Sequence, residues 1–151
     1  MSWISPLGLP IVQPYRKQAV QVVKTTIQTF SLSVEDDAMP VSRKKQRSAF
    51  PPNFVHSLDA THMLMTSLKM KERGLLFAPV HDSYWTHAAD VPVMGRLLRE
   101  CFVTMYSQPV LESLRDSLVI RYSDVEKPFP PVPKRGELDI KSVLGSSYFF
   151  H

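Results

Sequence analysis

Leu75-Leu76-Phe77-Ala78-Pro79-Val80-His81-Asp82-Ser83-Tyr84-Trp85-Thr86-His87 sets a bare carboxylate between an apolar run and an aromatic pair. The run from Leu75 to Val80 is short and wholly apolar, which suits a buried strand. Pro79 cannot donate to a ladder, so an unpaired edge or a bulge is expected there. His81-Asp82-Ser83 then forms the tip of a hairpin, and Tyr84 to His87 the returning aromatic strand. A carboxylate beside low-dielectric strands is costly unless it is hydrogen-bonded, paired or bound to a cation. Two readings fit Asp82: a turn side chain bonded to its own backbone, or a rigidly held ligand for Mg²⁺ in phosphoryl transfer.

Outward from the hairpin, helices are expected on both sides. Upstream, Asn53 follows Pro51-Pro52 as an N-cap for a helix over residues 53 to 73, with Val55, Leu58, Met65 and Leu68 near one face. Lys71 and Arg73 suit its last turn and Gly74 its C′ position. Downstream, Asp90 caps a second helix with Pro92 in its first turn and Val91, Met94, Leu98, Cys101, Phe102 and Met105 as its stripe. Ser107 and Pro109 stop it and start a third, striped by Val110, Leu111, Leu114, Leu118 and Tyr122. Trp3 to Tyr15 is apolar and proline-punctuated, and the β-branched residues between Ala19 and Phe30 predict two strands. Residues 34 to 48 carry Glu35-Asp36-Asp37 and Arg43-Lys44-Lys45-Gln46-Arg47, a polar loop that closes over a charged ligand or is simply solvated. A proline-rich stretch from Pro128 to Pro133, a short helical turn after Asp139 and the aromatic end Tyr148-Phe149-Phe150-His151 complete the chain.

The expected class is α/β of the α+β kind, with helices packed on a small antiparallel sheet. Residues 1-50 hold strands and the basic loop, 51-122 the helices and hairpin, 123-136 the linker and 137-151 the tail. At 151 residues and 44% apolar composition the chain suits one domain. Its net charge of +4 favours a polyanionic neighbour only weakly. Cys101 is the single cysteine, so no internal disulfide forms and a reducing compartment is expected. No apolar run reaches the roughly 20 residues that span a bilayer, and the start, broken by Pro6, Pro10 and Pro14, lacks a targeting pattern. His56, His62, His81, His87 and Cys101 show neither CxxC nor HExxH spacing, which argues against a zinc site.

Four motifs in order carry a resemblance: Pro6-Leu7-Gly8-Leu9-Pro10-Ile11-Val12-Gln13-Pro14-Tyr15-Arg16, the run Ala49 to Met63 with its PPNFVHSLDATHM, the run Val80 to Asp90, and Tyr148-Phe149-Phe150. Together they resemble the C-terminal part of the single-subunit, bacteriophage-type RNA polymerases, and in wording the mitochondrial ones. The resemblance implies part of the palm and fingers. Asp82 then matches the second palm aspartate of a two-Mg²⁺ site, His81 the residue beside it at the primer end, and His56 a position by the incoming nucleotide and its ribose hydroxyl.

Read as residues alone, His56 falls in the first turn of the expected helix, where a neutral imidazole is favoured. Asp59 either supports His56 or is a helical surface acid, and His62 and His87 read as structural. Arg16, Arg43, Lys44, Lys45 and Arg47 are candidate nucleic-acid backbone contacts. Implied partners are DNA template, RNA product, nucleoside triphosphates, the rest of the polymerase and mitochondrial transcription factors, with a mitochondrial matrix location and no membrane insertion.

The family's first palm aspartate and its nucleotide-binding helix have no match in this sequence, and Asp36 and Asp37 lie outside every family motif. The expectation is therefore a C-terminal fragment, from an incompletely read or split gene, that is inactive alone. The other classes weighed are a stand-alone nucleic-acid-binding module and a metal-dependent nuclease around Asp82, for which no further well-placed acids are found.

Overall fold

The computed structural model describes residues 1–34, 38–80, 82–124 and 126–149. Its organising element is a single long helix, α1 (Arg43–Glu72), of 30 residues. At 1.5 Å per residue it extends about 45 Å. It begins ten residues before the expected Asn53 cap, so the basic run is helical rather than part of a loop. Ser42 caps it, its hydroxyl accepting from the Lys45 N–H at 3.5 Å.

Pro51 and Pro52 lie inside α1, where proline removes backbone donors and ordinarily kinks or ends a helix. Tertiary contacts on the turns before them oppose that tendency. Gln46 donates to the Gln13 carbonyl at 2.8 Å and accepts from Gln13 Nε2 at 2.7 Å. Phe50 packs edge-on against Trp3 at 5.5 Å. At the other end Gly74 adopts φ +69° at the C′ position, as expected, and the Leu75 N–H reaches back to the Met70 carbonyl at 3.0 Å.

Among the described residues the strands form three separate antiparallel ribbons rather than one small sheet. β1 (Ser2–Ile4) pairs with β2 (Pro10–Val12), β3 (Ala19–Lys24) with β4 (Thr29–Val34), and β5 (Ala78–Val80) with β6 (Ser83–Trp85). In a two-strand ribbon every strand is an edge, which is how Pro79 is tolerated opposite Tyr84. The β3–β4 ribbon realises the two strands expected between Ala19 and Phe30. Its base is closed by the Arg16–Val41 bridge, and Val20, Val22, Ile27 and Leu32 are exposed along it.

α2 (Val91–Tyr106) and α3 (Val110–Arg121) follow their expected limits, and a 3₁₀ segment, Ile140–Gly145, follows an Asp139 whose side chain accepts from the Lys141 N–H. α2 crosses α1 and carries the 3₁₀ segment on its flank, while α3 packs on β1. Trp3, Phe54, Leu58 and Met105 form the core cluster, with Ile11, Phe50, Met65, Tyr106, Val110 and Leu114 around it.

The buried face of α1 differs from the expected stripe. Leu58 is buried, but Val55 and Leu68 are exposed, and Ser57, Thr61, His62, Thr66 and Met70 are inside. The three hydroxyls donate to the carbonyls of Phe54, Ser57 and His62 at 2.7, 2.7 and 2.9 Å, so burial leaves none of them unsatisfied. Among the described residues no helix is long and apolar enough to cross a membrane.

Candidate functional site

An open cleft of about 650 Å³ lies where α1 faces the β5–β6 hairpin, lined by His56, Asp59, Ala60, Met63, Asp82 and Tyr84. Four of these sit at i, i+3, i+4 and i+7 from His56, so one stripe of α1 forms the wall. The hairpin supplies the rest. Val80 pairs with Ser83, which puts Asp82 in the tight connection, while the Tyr84 ring leans on Phe77 at 5.5 Å.

Burial raises the Tyr84 hydroxyl above the usual phenol range, and the carboxylates of Asp82 and then Asp59 push in the same direction. Tyr106 is raised likewise by burial and by Asp59. Asp59 therefore acts electrostatically on groups from β6 and α2 alike. The phenols stay protonated and keep their capacity to donate hydrogen bonds.

The fold thus brings His56 and Asp82, singled out in the sequence, to one cleft together with Asp59. Tyr84, Ala60 and Met63 were not singled out; the helical spacing from His56 was the signal for the last two, and nothing in the sequence aims Tyr84 at α1. His56 is well inside α1, thirteen residues past Arg43, and not in the first helical turn where the expected start at Asn53 put it. His81 lies outside the described residues, as do Asp36, Asp37, Phe150 and His151.

Arg16 Nη1 donates to the Met39 carbonyl at 2.9 Å, so it serves the base of the β3–β4 ribbon. Arg43, Lys44, Lys45 and Arg47 are exposed in the opening turns of α1, which has no acid in its first turn.

His62 belongs to the core, as expected. Its Nε2 donates to the Leu98 carbonyl at 2.8 Å, and its ring meets Phe102 and Phe149 edge-on at 5.7 and 6.2 Å. Burial holds it below the ordinary imidazole range, against smaller opposing effects from the Leu98 bond and Asp59. Arg99 lies over the Phe149 ring at 5.5 Å and donates to the Ser146 carbonyl at 3.0 Å, so the aromatic end docks on α1 and α2 through Phe149. Tyr148 remains exposed. Burial raises the Cys101 thiol, with a hydrogen bond to Thr66 opposing.

Among the described residues no group of three or more His, Cys, Asp or Glu side chains is placed to hold a metal ion. Asp82 offers one exposed carboxylate to the cleft. A Mg²⁺ ion takes near-octahedral oxygen coordination, so these residues alone do not complete a magnesium site.

The family model for DNA-dependent RNA polymerase matches residues 1–128. DNA-directed RNA polymerase 1A of Nicotiana tabacum is 54% identical over 149 residues, covering 99% of this chain and 94% of that protein. DNA-directed RNA polymerase 1, mitochondrial, of Nicotiana sylvestris is 54% identical over the same share of this chain, which spans only 14% of its length. DNA-directed RNA polymerase 2, chloroplastic/mitochondrial, of Arabidopsis thaliana is 53% identical, again with 14% of its length covered. Relatives thus carry both mitochondrial and chloroplastic names.

Proposed function

The chain belongs to the phage-type, single-subunit family of DNA-dependent RNA polymerases, and from that premise we propose that the α1–hairpin cleft is part of the site of nucleotide addition. The observation that carries the reading is that Asp82 and His56, far apart in sequence and borne by different elements, line one cleft.

In nucleotidyl transfer the 3′-hydroxyl oxygen bonds to the α-phosphorus as the bond to pyrophosphate breaks. Asp82 is one carboxylate of the Mg²⁺ site, the remaining ligands coming from polymerase sequence beyond this chain; bound Mg²⁺ supplies charge stabilisation to the phosphates. His56 offers a ring nitrogen to the ribose of the incoming nucleotide, and His81 stands beside Asp82 in sequence, next to the primer end. The DNA template and RNA product run along the adjoining basic surface. The chain functions as the palm end of an organellar polymerase, with any transcription factors acting on the larger assembly. Alone it is inactive, because one carboxylate cannot hold an ion pair.

The test is primer extension on a preformed RNA–DNA hybrid by a longer polymerase containing this sequence. Asp82→Asn is expected to slow nucleotide addition more than about 100-fold while hybrid binding persists; a near-normal rate overturns the role of Asp82. Extension by the 151-residue chain alone overturns its inactivity.

A second reading is favoured by the tobacco relative that this chain covers over 94% of its length. On it, the short form is a stand-alone nucleic-acid-binding module. Salt-dependent RNA or DNA binding by a cooperatively folding monomer supports that reading; its absence removes it.

A further inference from the structure

The apolar stripes expected for α1 and α3 include Val55 and Leu111, yet these side chains stay 53% and 45% exposed. Both line one cavity of about 390 Å³. Val55 and Leu58 project about 100° or more around the α1 axis from His56, so this cavity is separate from the His56–Asp82 cleft. Phe54 and Leu58 form its floor and belong to the core cluster, which places the cavity directly on the core. Val132 and Pro133, from the proline-rich segment, form its outer wall.

That outer wall is tied down on both sides of Val132-Pro133. Arg115 Nε donates to the Pro130 carbonyl at 3.1 Å, and Arg135 Nη2 donates to the Gln108 carbonyl at 3.0 Å in the turn before α3. Pro128, Pro130, Pro131 and Pro133 have φ fixed near −65°, which lowers the entropy lost in holding the segment there. The cavity is therefore formed in advance of any ligand, as small-molecule sites commonly are.

Charge at the rim narrows what it takes. Glu112 and Arg135 pair at 3.3 Å and offset one another. Lys134 also lines the cavity and, among the described residues, joins no ion pair. One uncompensated cation above an apolar interior complements an apolar body with a single anionic head. The volume lies in the lower part of the small-molecule range of roughly 300–1,000 Å³, whereas a stable protein partner needs about 800 Å² from each side. We propose that this cavity binds a free fatty carboxylate, its chain between Val55 and Leu111 and its head group at Lys134. Covering those two side chains favours binding through the hydrophobic effect, and Lys134 distinguishes the charged head from a neutral one.

The test uses the 151-residue chain and the fluorescent apolar reporter N-phenyl-1-naphthylamine, displaced by decanoate or by its uncharged counterpart decanol. Decanoate is expected to displace the reporter at a several-fold lower concentration than decanol. Lys134→Ala is expected to erase that advantage while leaving decanol unchanged. Leu111→Gln, at a half-exposed position that does not carry the fold, is expected to weaken both ligands several-fold, and Val132→Gln in the outer wall to do the same. Ile120→Gln is the control, because Ile120 is exposed about 180° around α3 from Leu111 and is expected to change neither. No displacement by decanoate, equal potency of the two ligands on the native chain, or losses at Leu111 and Val132 no larger than at Ile120 overturn the site. A native dimer in sedimentation velocity that Leu111→Gln dissociates makes a second copy the occupant and overturns the fatty carboxylate.

Discussion

The two faces of α1 are made of similar residue types and serve opposite ends. One buries Phe54, Ser57, Leu58, Thr61, His62, Thr66 and Met70, and every hydroxyl on it is spent on a carbonyl of its own helix. The other holds His56, Asp59 and Ala60 open to solvent above the β5–β6 hairpin. A histidine occurs on each face, and the contrast between them is instructive. His62 has a backbone carbonyl and two aromatic rings as fixed neighbours, whereas His56 borders an open cleft. Partner supply, rather than residue type, separates a structural imidazole from one free to meet a ligand.

Substitutions on the two faces should therefore diverge. Trp3→Ala, on the core side, removes a side chain only 1% exposed that donates to Ser57 Oγ at 3.0 Å. It is expected to lower unfolding free energy by about 3–5 kcal/mol in a urea titration. An unmoved midpoint would detach the N-terminal ribbon from the core.

The next effect is one of pH. His62 has its folded pKa below the ordinary value, so the unfolded chain takes up a proton first as pH falls. Its contribution to stability is complete above about 6.5, the unperturbed histidine value, and declines as pH drops through that value toward the lowered folded one. His62→Gln should flatten this part of the melting-temperature profile between pH 8 and 5. A variant profile parallel to that of the native protein would show that His62 is not the titrating group.

Smaller still is Ser42→Ala. The cap bond is long at 3.5 Å, so the loss is expected near the low end of the capping range, about 0.5 kcal/mol. A loss well above that would make the basic turns depend on their cap more than on Gln46. Smallest is His56→Ala, on the cleft side, expected to change stability by no more than about 0.5 kcal/mol. A fall comparable to that of Trp3→Ala would erase the distinction between the faces.

The pairing of β5 with β6 was legible because its signals are local, an apolar run, an acid and an aromatic return. The expected buried strand over Leu75 to Val80 was not found: β5 begins only at Ala78, and Leu76, Val80 and Trp85 are exposed. Local signals also made α2 legible, bounded by Asp90, Pro92 and Ser107, and Gly74, whose φ of +69° suits a residue without a side chain. The start of α1 was not legible. Pro51-Pro52-Asn53 has the local form of a helix beginning, but Ser42 and the Gln13–Gln46 bonds carry the helix through it. The buried stripe was hidden for another reason, since Ser57, Thr61 and Thr66 register as polar in any hydropathy pattern and are satisfied only by the helix they belong to. In the site, Asp82 and His56 stood out as residue types in motifs, while Tyr84 entered only when β6 was set against α1.

Covalent neighbours and turn chemistry thus settled the pairing of the hairpin and the helix limits next to it, while the family came from the resemblance of whole motifs. Those signals depend on residues a few positions apart, whose energetics survive outside the fold. The length of α1, the separation of the strands into three ribbons and the meeting of His56, Asp59, Asp82 and Tyr84 came from packing. Each of these depends on groups distant in sequence becoming neighbours, and a contact of that kind acquires its free energy only once the chain around it has folded.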